Sequence, residues 1–275
     1  MSLVFMPQRH LLRLISYSFL LAIDLLCAKE DPPDEPMPES SDAKAVAVVE
    51  AYLEAIGGRK ALGKIDSLVL EGTLTEGRNQ YDFTFYRKTP DRGRHERLLQ
   101  ARYGEEIKII TGFDGEQAWT WDQSGDYPYP DIMEGQPAAL FRRKCPIFGP
   151  FFRPGLEPVI FSFEGEKTYR GIPVKMIRAW YGDGDYEWYY FHRDNGLLLL
   201  KASREIFAGT PTFIDEVFTK YDQVADVYFP VRSVRRVRDQ KIGSREITSV
   251  QPNPNLPHSL FTKPKSKERW LRQAN

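Results

Sequence analysis

The feature that most constrains the fold is a period-two alternation of apolar and polar residues that begins at Ser67 and recurs almost to the end of the chain. In the run 79–88, for example, Tyr81, Phe83 and Phe85 fall on one face. Alternation of this kind predicts β-strands with one buried and one exposed face. Glycine-rich turn signals separate the runs, which is typical of hairpin connections. The pattern therefore predicts a large antiparallel sheet, curled or closed.

The aromatic content of 13% also favours strands over helices, because aromatic side chains pack well on pleated sheets. Turn signals at 75–78, 114–115, 182–184 and 194–196 mark the ends of successive strands. The predicted strands are 67–74, 79–88, 92–101, 106–113, 116–121, 159–169, 174–181, 186–193, 197–207, 212–221, 228–238 and 242–250.

A helix is predicted in front of the first strand. Asp42 is suited to cap it, and Gly57 with Gly58 is expected to end it. Its apolar residues recur at helical spacing and are Val46, Val49, Tyr52, Leu53 and Ile56. A second helical turn, Arg59–Lys64, leads into the sheet, so the chain has a mainly β, α+β composition.

The segment Pro128–Pro158 interrupts the succession of strands, because its many prolines exclude a central strand. Within it, Gln136–Lys144 is predicted to be a short helix. The following residues, Ile147–Phe152, form an unusually apolar loop. Two interpretations stay open: the loop is a core plug under the sheet, or it is a lid that contacts a ligand.

The N-terminus is typical of an export signal, with basic residues before an apolar run. We interpret residues 1–28 as a signal peptide cleaved after Ala28, with lipid attachment at Cys27 or an uncleaved anchor as alternatives. Residues 29–42 form a linker rich in proline and acids, 43–264 a single domain, and 265–275 a basic tail. The expected location is the periplasm.

The charge balance argues against a nucleic-acid partner, since 38 Lys and Arg residues match 38 Asp and Glu residues. No nucleophile motif, metal-ligand spacing or phosphate-binding glycine loop occurs. We interpret His95, which lies among arginines, as exposed, and Asp183–Asp185 as a hairpin turn instead of a calcium loop. Cys145, the only cysteine after the signal, is predicted to be a buried small hydrophobe. The chain is therefore expected to be neither an enzyme nor dependent on a metal or cofactor.

Several strings in order along the chain resemble a known family. They are 52–58 with 61–62 and 65–68 near the start, 113–119 in the middle, and 169–171, 190–199, 220–224, 228–231 and 259–264 in the second half. Together they resemble the bacterial outer-membrane lipoprotein-sorting proteins of the LolA/LolB-like carrier superfamily. The resemblance implies a strongly curved, incompletely closed antiparallel barrel, with helices and a loop over its mouth. It also implies a hydrophobic cavity that takes acyl chains.

The residues expected to line such a cavity come from the aromatic strands and the apolar loop. They are Phe148, Phe151, Phe152, Phe161, Phe163, Trp180, Trp188 and Tyr190, with ordinary core packing as the alternative. Arg235 joins them, because on its strand it shares a face with the apolar residues Val231 and Val237, and an inward arginine needs an acidic or ligand partner. A local bulge or an edge position is the other explanation.

The function expected from these observations is binding of an acyl chain, lipid or lipoprotein by a monomer, with other envelope proteins as further partners. An envelope scaffold with a filled core is the alternative, and a hydrolase of unfamiliar design is a weaker one.

Overall fold

The computed structural model describes residues 37–100, 106–123, 129–153, 158–207 and 210–265. The chain divides into two units, Met1–Glu35 and Pro36–Asn275, and every described residue lies in the second. The predicted signal peptide, most of the linker and most of the basic tail lie outside the described residues. The domain bounds 43–264 stay a prediction.

The described part contains three α-helices and thirteen strands. The helices are α1 (Ala43–Ala55), α2 (Gly58–Leu62) and α3 (Gly135–Arg142). The strands are β1 (Ser67–Glu76), β2 (Asn79–Lys88), β3 (Arg92–Gln100), β4 (Glu106–Phe113), β5 (Ala118–Asp122), β6 (Asp131–Ile132), β7 (Val159–Tyr169), β8 (Ile172–Tyr181), β9 (Tyr186–His192), β10 (Leu198–Phe207), β11 (Thr210–Val224), β12 (Val227–Val237) and β13 (Gln240–Pro252).

All strands belong to one antiparallel sheet in the order β6-β5-β4-β3-β2-β1-β13-β12-β11-β10-β9-β8-β7. Strands that follow each other along the chain pair with each other, with the exception of β6 and β7, and the pairing of β1 with β13 joins the two halves of the sheet. The strands β6 and β7 form the two edges, and they do not pair with each other. The sheet is therefore open, which confirms the predicted mainly β half-barrel.

Register shifts bend the sheet into this shape. They occur between five pairs of strands: β1 with β13, β7 with β8, β9 with β10, β11 with β12 and β12 with β13. A bulge of this kind bends the strand and increases its right-handed twist. At the first of them Gly72 is required, because an added Cβ would lie 2.0 Å from the backbone oxygen of Glu246. Curvature thus follows from the local irregularities together with the twist of so many strands.

Helix α1 lies across the inner, concave side of this sheet. Its N-terminus is capped by Asp42, whose side chain accepts a hydrogen bond from the backbone N–H of Lys44. The Asp42 backbone N–H donates to the oxygen of Phe161 on the edge strand β7, and the oxygen of Ile56 accepts from Tyr228 on β12. The helix therefore runs from one edge of the sheet towards the β11–β12 hairpin, as an amphipathic helix needing a surface to cover was expected to do.

Helix α3 and the loop after it also cover the concave side. The ring of Phe141 stacks on Phe85 of β2 at 6.4 Å, and the side chain of Cys145 fills the space above Gly93. Cys145 is fully buried and free, as predicted. The predicted plug-or-lid loop contributes Ile147 and Phe151 to the main core, with exposed fractions of 8% and 7%. It therefore packs against the main core, and its contact with a ligand stays a prediction.

The C-terminal segment covers part of the outer, convex side. Phe261 is fully buried against Val69, and its backbone oxygen accepts a hydrogen bond of 2.8 Å from the indole N–H of Trp119. Phe261 therefore pins the C-terminal segment to the sheet. The sheet thus buries apolar residues on both faces, and the three described α-helices lie on the concave one.

Candidate functional site

The concave face carries the largest apolar cluster of the protein. It joins α1, α2, the loop 147–152 and the inward residues of strands on both halves of the sheet. Eleven apolar side chains at the margin of this cluster are only partly buried, and we call them the apolar rim. They are Tyr81, Phe148, Phe152, Val159, Phe161, Phe163, Leu197, Tyr221, Val224, Ile247 and Val250.

Phe151 is the centre of the cover over this face. Its ring contacts Tyr52 of α1 at 5.2 Å, Tyr189 at 4.8 Å and Phe191 at 5.6 Å. It also stacks on Phe161 at 6.0 Å. Aromatic pairs at these separations contribute beyond the area that they bury. The covering segments are thus held on the sheet by ring packing. They do not pair with its strands through a ladder of hydrogen bonds.

The structure brings the predicted phenylalanines together. Phe148 contacts Phe152 at 5.9 Å, and Phe151 is stacked on Phe161; Phe163 follows two residues later on the same face of β7. All five belong to the concave cluster or its rim. Their role in ligand binding stays a prediction.

The predicted tryptophans and tyrosine lie elsewhere. Trp180 pairs with Ile160, whereas Phe161 pairs with Ala179, so Trp180 and Phe161 are on opposite faces. Trp188 and Tyr190 belong to a separate cluster on the convex side. One cavity lined by these residues with the phenylalanines opposite is therefore wrong. The reason is that β8 and β9 are aromatic on both faces, and alternation alone does not show which face is concave.

Arg235 points to the concave side, as the face that it shares with Val231 predicted. Its guanidinium forms hydrogen bonds of 2.9 Å with Glu76 and 3.0 Å with Glu205. The acidic partners that an inward arginine needs are therefore present within the protein. A register shift between Arg235 and Arg236 accompanies them, so the bulge that was the alternative explanation also occurs.

Arg235 is part of a larger group of ionisable side chains that meet on the concave side, which we call the charged band. Its members are Glu76, Arg87, Arg97, Lys144, Glu187, Lys201, Glu205, Glu216, Arg235 and Arg245. Several keep solvent contact beneath the cover: the side chain of Arg245 is 28% exposed and that of Glu216 is 21% exposed. The concave side thus combines a buried apolar cluster with a partly exposed charged band. Sequence reasoning missed the charged band, because its residues come from nine different segments.

Glu187 is the most buried carboxylate of the band. It accepts hydrogen bonds from the hydroxyls of Tyr181 and Tyr189 and pairs with Lys201 at 2.7 Å. Burial opposes its ionisation, but Lys201 and the two hydroxyls outweigh this and lower the pKa of the carboxyl. With three donors around it, this carboxylate holds β8, β9 and β10 together.

His95 was interpreted as exposed, and this is wrong. Its ring lies on the concave face, stacked on Phe85 at 4.9 Å and edge-on to Phe83 at 5.8 Å. Burial, followed by the nearby cations Arg97 and Lys144, holds the pKa of the imidazole well below its ordinary value. The neighbouring arginines on β3 suggested a solvated strand, but His95 alternates with Arg94, which faces outward.

The hairpin turn predicted at Asp183–Asp185 is confirmed, and it has a partner that the sequence did not reveal. Arg143, after α3, donates to Asp183 and to Asp185 at 2.6 Å, and its side chain is 1% exposed. Across the described ranges no group of three or more His, Cys, Asp or Glu side chains is placed to hold a metal ion. No helix in the described part of the chain is long and apolar enough to cross a membrane.

No family model and no curated protein matches the sequence. Solved structures do. A DUF1329 family protein from Desulfovibrio piger superposes with a TM-score of 0.55 at 9% identity, over 79% of this chain and 97% of that one. A putative outer membrane lipoprotein-sorting protein domain from Vibrio parahaemolyticus gives 0.53 at 10% identity, over 83% and 98%. A LolA superfamily protein from Nitrosomonas europaea gives 0.52 at 11% identity, over 80% and 97%.

The chain has a LolA-like fold. The resemblance seen in the sequence strings is thereby confirmed at the level of architecture. At identities near 10% the superpositions concern the backbone alone, and function has to be argued from the side chains of the concave face. In this LolA-like chain that face is composite, with an aromatic cover and rim on one part and the charged band on another.

Proposed function

We propose that this protein binds an amphipathic ligand with an acyl chain, a lipid or the lipid moiety of a lipoprotein, on the concave face of its sheet. One observation carries the proposal: partly buried apolar side chains pack against a cluster whose cover is held by side-chain packing and not by strand pairing. An acyl chain that displaces this cover, or packs beside it, buries the apolar rim. Burying apolar surface is worth about 25 cal/mol per Å², so a long acyl chain has enough contact area for stable binding.

The fold neighbours support the same proposal. One is named a lipoprotein-sorting protein domain and another a LolA superfamily protein. Carriage of lipoproteins in the periplasm is the finer form of the proposal, together with export by the N-terminal segment. We infer binding without catalysis, because the three donors around the buried carboxylate Glu187 give it a structural role between strands.

The test is binding of a neutral acyl probe to the purified full chain. Native mass spectrometry first reports any lipid that co-purifies, and the delipidated protein is then titrated with the methyl ester of a dansylated eleven-carbon fatty acid. We expect saturable binding that Phe163→Ser weakens. The matched control is Phe213→Ser, since Phe213 is also a partly buried strand phenylalanine but lies in the convex cluster. No uptake of the ester by the delipidated protein, or equal weakening by both variants, contradicts the proposal.

A scaffold protein that acts through its surface is the second candidate. The tight packing of Phe151, at 7% exposure, favours it, because a core filled by the protein itself leaves less room for a ligand. This candidate predicts that no lipid co-purifies and that the dansylated ester does not bind to the wild type or to either variant.

A further inference from the structure

The charged band carries more cations than carboxylates. Its ion pairs join Arg97 and Arg235 to Glu76, Lys144 and Arg235 to Glu205, Lys201 to Glu187, and Arg245 to Glu216. Its ten members are six cations and four carboxylates, and the cation outside these pairs is Arg87. A partly enclosed region with an excess of positive charge attracts anions.

Arg87 is the unusual member, because no carboxylate of the described residues pairs with it. One of its terminal nitrogens donates to the backbone oxygen of Ile147 at 3.1 Å, and its guanidinium lies 4.3 Å from the centre of the Phe85 ring. Its Nε is buried and finds no acceptor among the described residues. A buried donor without an acceptor is costly, and one on a cation more so.

The electrostatic surroundings agree with this geometry. Burial, and next the charge of Arg245, lower the pKa of Arg87 to about 10. Arg87 therefore remains protonated at neutral pH, but its charged form is poorly compensated. An oxyanion beside it would supply both the missing charge and the missing acceptor.

His95 lies on the same aromatic ring as Arg87. Both groups contact Phe85, the imidazole at 4.9 Å and the guanidinium at 4.3 Å. His95 makes no hydrogen bond with any described residue, and as a neutral imidazole it still offers one N–H. Two side chains with unused donors thus contact one apolar ring, so polar donors and an apolar surface lie together, as an acidic head group joined to a hydrocarbon chain requires.

We propose that Arg87 and His95 form an oxyanion subsite that recognises the carboxylate or phosphate head group of an anionic amphiphile. This inference rests on the proposed function, since the chain of the same ligand lies on the concave aromatic surface. It adds the substrate class: the protein prefers acidic lipids to neutral ones of the same chain length.

The test compares two probes that differ only in charge, the dansylated eleven-carbon fatty acid and its methyl ester. The wild type binds the acid more tightly than the ester by roughly tenfold to a hundredfold, the range of one hydrogen bond between charged groups. Arg87→Met removes this preference, weakening the acid and leaving the ester within about twofold. Arg87→Lys retains part of the preference because it retains the charge.

Arg204→Met is the matched control. Arg204 lies 5.2 Å over the ring of Phe213 on the convex side, so the substitution removes a similar arginine–aromatic contact away from the proposed subsite. It is expected to change neither affinity. Hexadecanoate and hexadecyl phosphate are then each used to displace the dansylated acid, which shows which oxyanion binds more tightly. The head-group proposal requires that at least one of them displaces it.

The outcomes separate the two proposals. Equal binding of acid and ester by the wild type overturns the oxyanion subsite and leaves acyl binding intact. Loss of both affinities in Arg87→Met, together with a lower urea midpoint, assigns Arg87 to holding the Ile147 loop and also overturns the subsite. Failure of the wild type to bind the ester removes the proposed function, whatever its affinity for the acid.

Discussion

Arg143 is expected to be one of the most costly single residues to replace outside the hydrophobic core. It joins the end of α3 to the β8–β9 turn through Asp183 and Asp185, and its guanidinium lies 4.0 Å from the centre of the Tyr181 ring. Arg143→Met keeps the aliphatic stem and removes the charge. The perturbation therefore leaves two aspartates without their cation while changing the packing little.

The size of the effect follows from the exposure of the three side chains. Arg143 is 1% exposed and Asp185 is 13% exposed, so the second carboxylate is left partly buried without its partner. Removing one member of a buried pair costs about 3–5 kcal/mol. Asp183 is 44% exposed and is readily hydrated, so we expect the lower end, about 3 kcal/mol. At about 2–4 °C per kcal/mol for a domain of this size, this lowers Tm by roughly 6–12 °C.

Urea denaturation followed by tryptophan fluorescence measures this free energy. The matched control is Arg232→Met, which breaks an arginine–carboxylate pair with Glu246 whose side chains are 52% and 51% exposed. An exposed pair is worth less than about 1 kcal/mol. Adding Asp185→Asn to Arg143→Met is expected to restore part of the loss, because it removes the orphaned charge. The reasoning is refuted if the Arg143 variant costs no more than the Arg232 variant, or if the added substitution restores nothing.

Two further predictions concern the sheet. Burial opposes ionisation of Glu205, but Lys144 and other cations outweigh it and lower the pKa of its carboxyl to about 2. Its stabilising contribution, up to about 3 kcal/mol, is present above its ordinary pKa of 4.5 and is lost as pH falls towards 2. In Glu205→Gln the urea midpoint should therefore decrease less steeply than in the wild type as pH falls over this range. An equally steep decrease in both proteins would contradict the prediction. Gly72→Ala should cost about 1–3 kcal/mol, because its Cβ would meet the backbone of β13. The control Gly182→Ala, whose Cβ would lie 3.9 Å from the nearest atom, should cost under about 0.5 kcal/mol. Equal urea midpoints for the two variants would contradict the bulge argument.

Much of the fold was predictable because local patterns specify it. The strands β2, β4 and β7 have the bounds that alternation predicted, and α1 begins after Asp42 as its capping residue indicated. The short strand β6 was missed, since two residues are too few to show a period. Turn residues specify hairpins in the same local way. A sheet built from a nearly unbroken succession of hairpins is therefore easier to predict from sequence.

The candidate site was only partly predictable. The phenylalanines of the loop and of β7 were expected to lie together and do so. Arg87 was not singled out, and His95 was assigned to the wrong environment. Each is surrounded by residues distant in sequence, such as Ile147 and Arg245, and no local pattern reports such neighbours.

The sequence by itself determined the strand succession, the capped helix and the alternation of faces within each strand, because these depend on residues a few positions apart. Only the tertiary structure decided which face is concave. That choice depends on the bulges, such as the one at Gly72, and on where α1 and the Ile147–Phe152 loop pack. Burial and charge at Trp188, His95 and Arg87 follow from this choice, since a strand residue faces a covered interior or the opposite surface according to the curvature of the whole sheet.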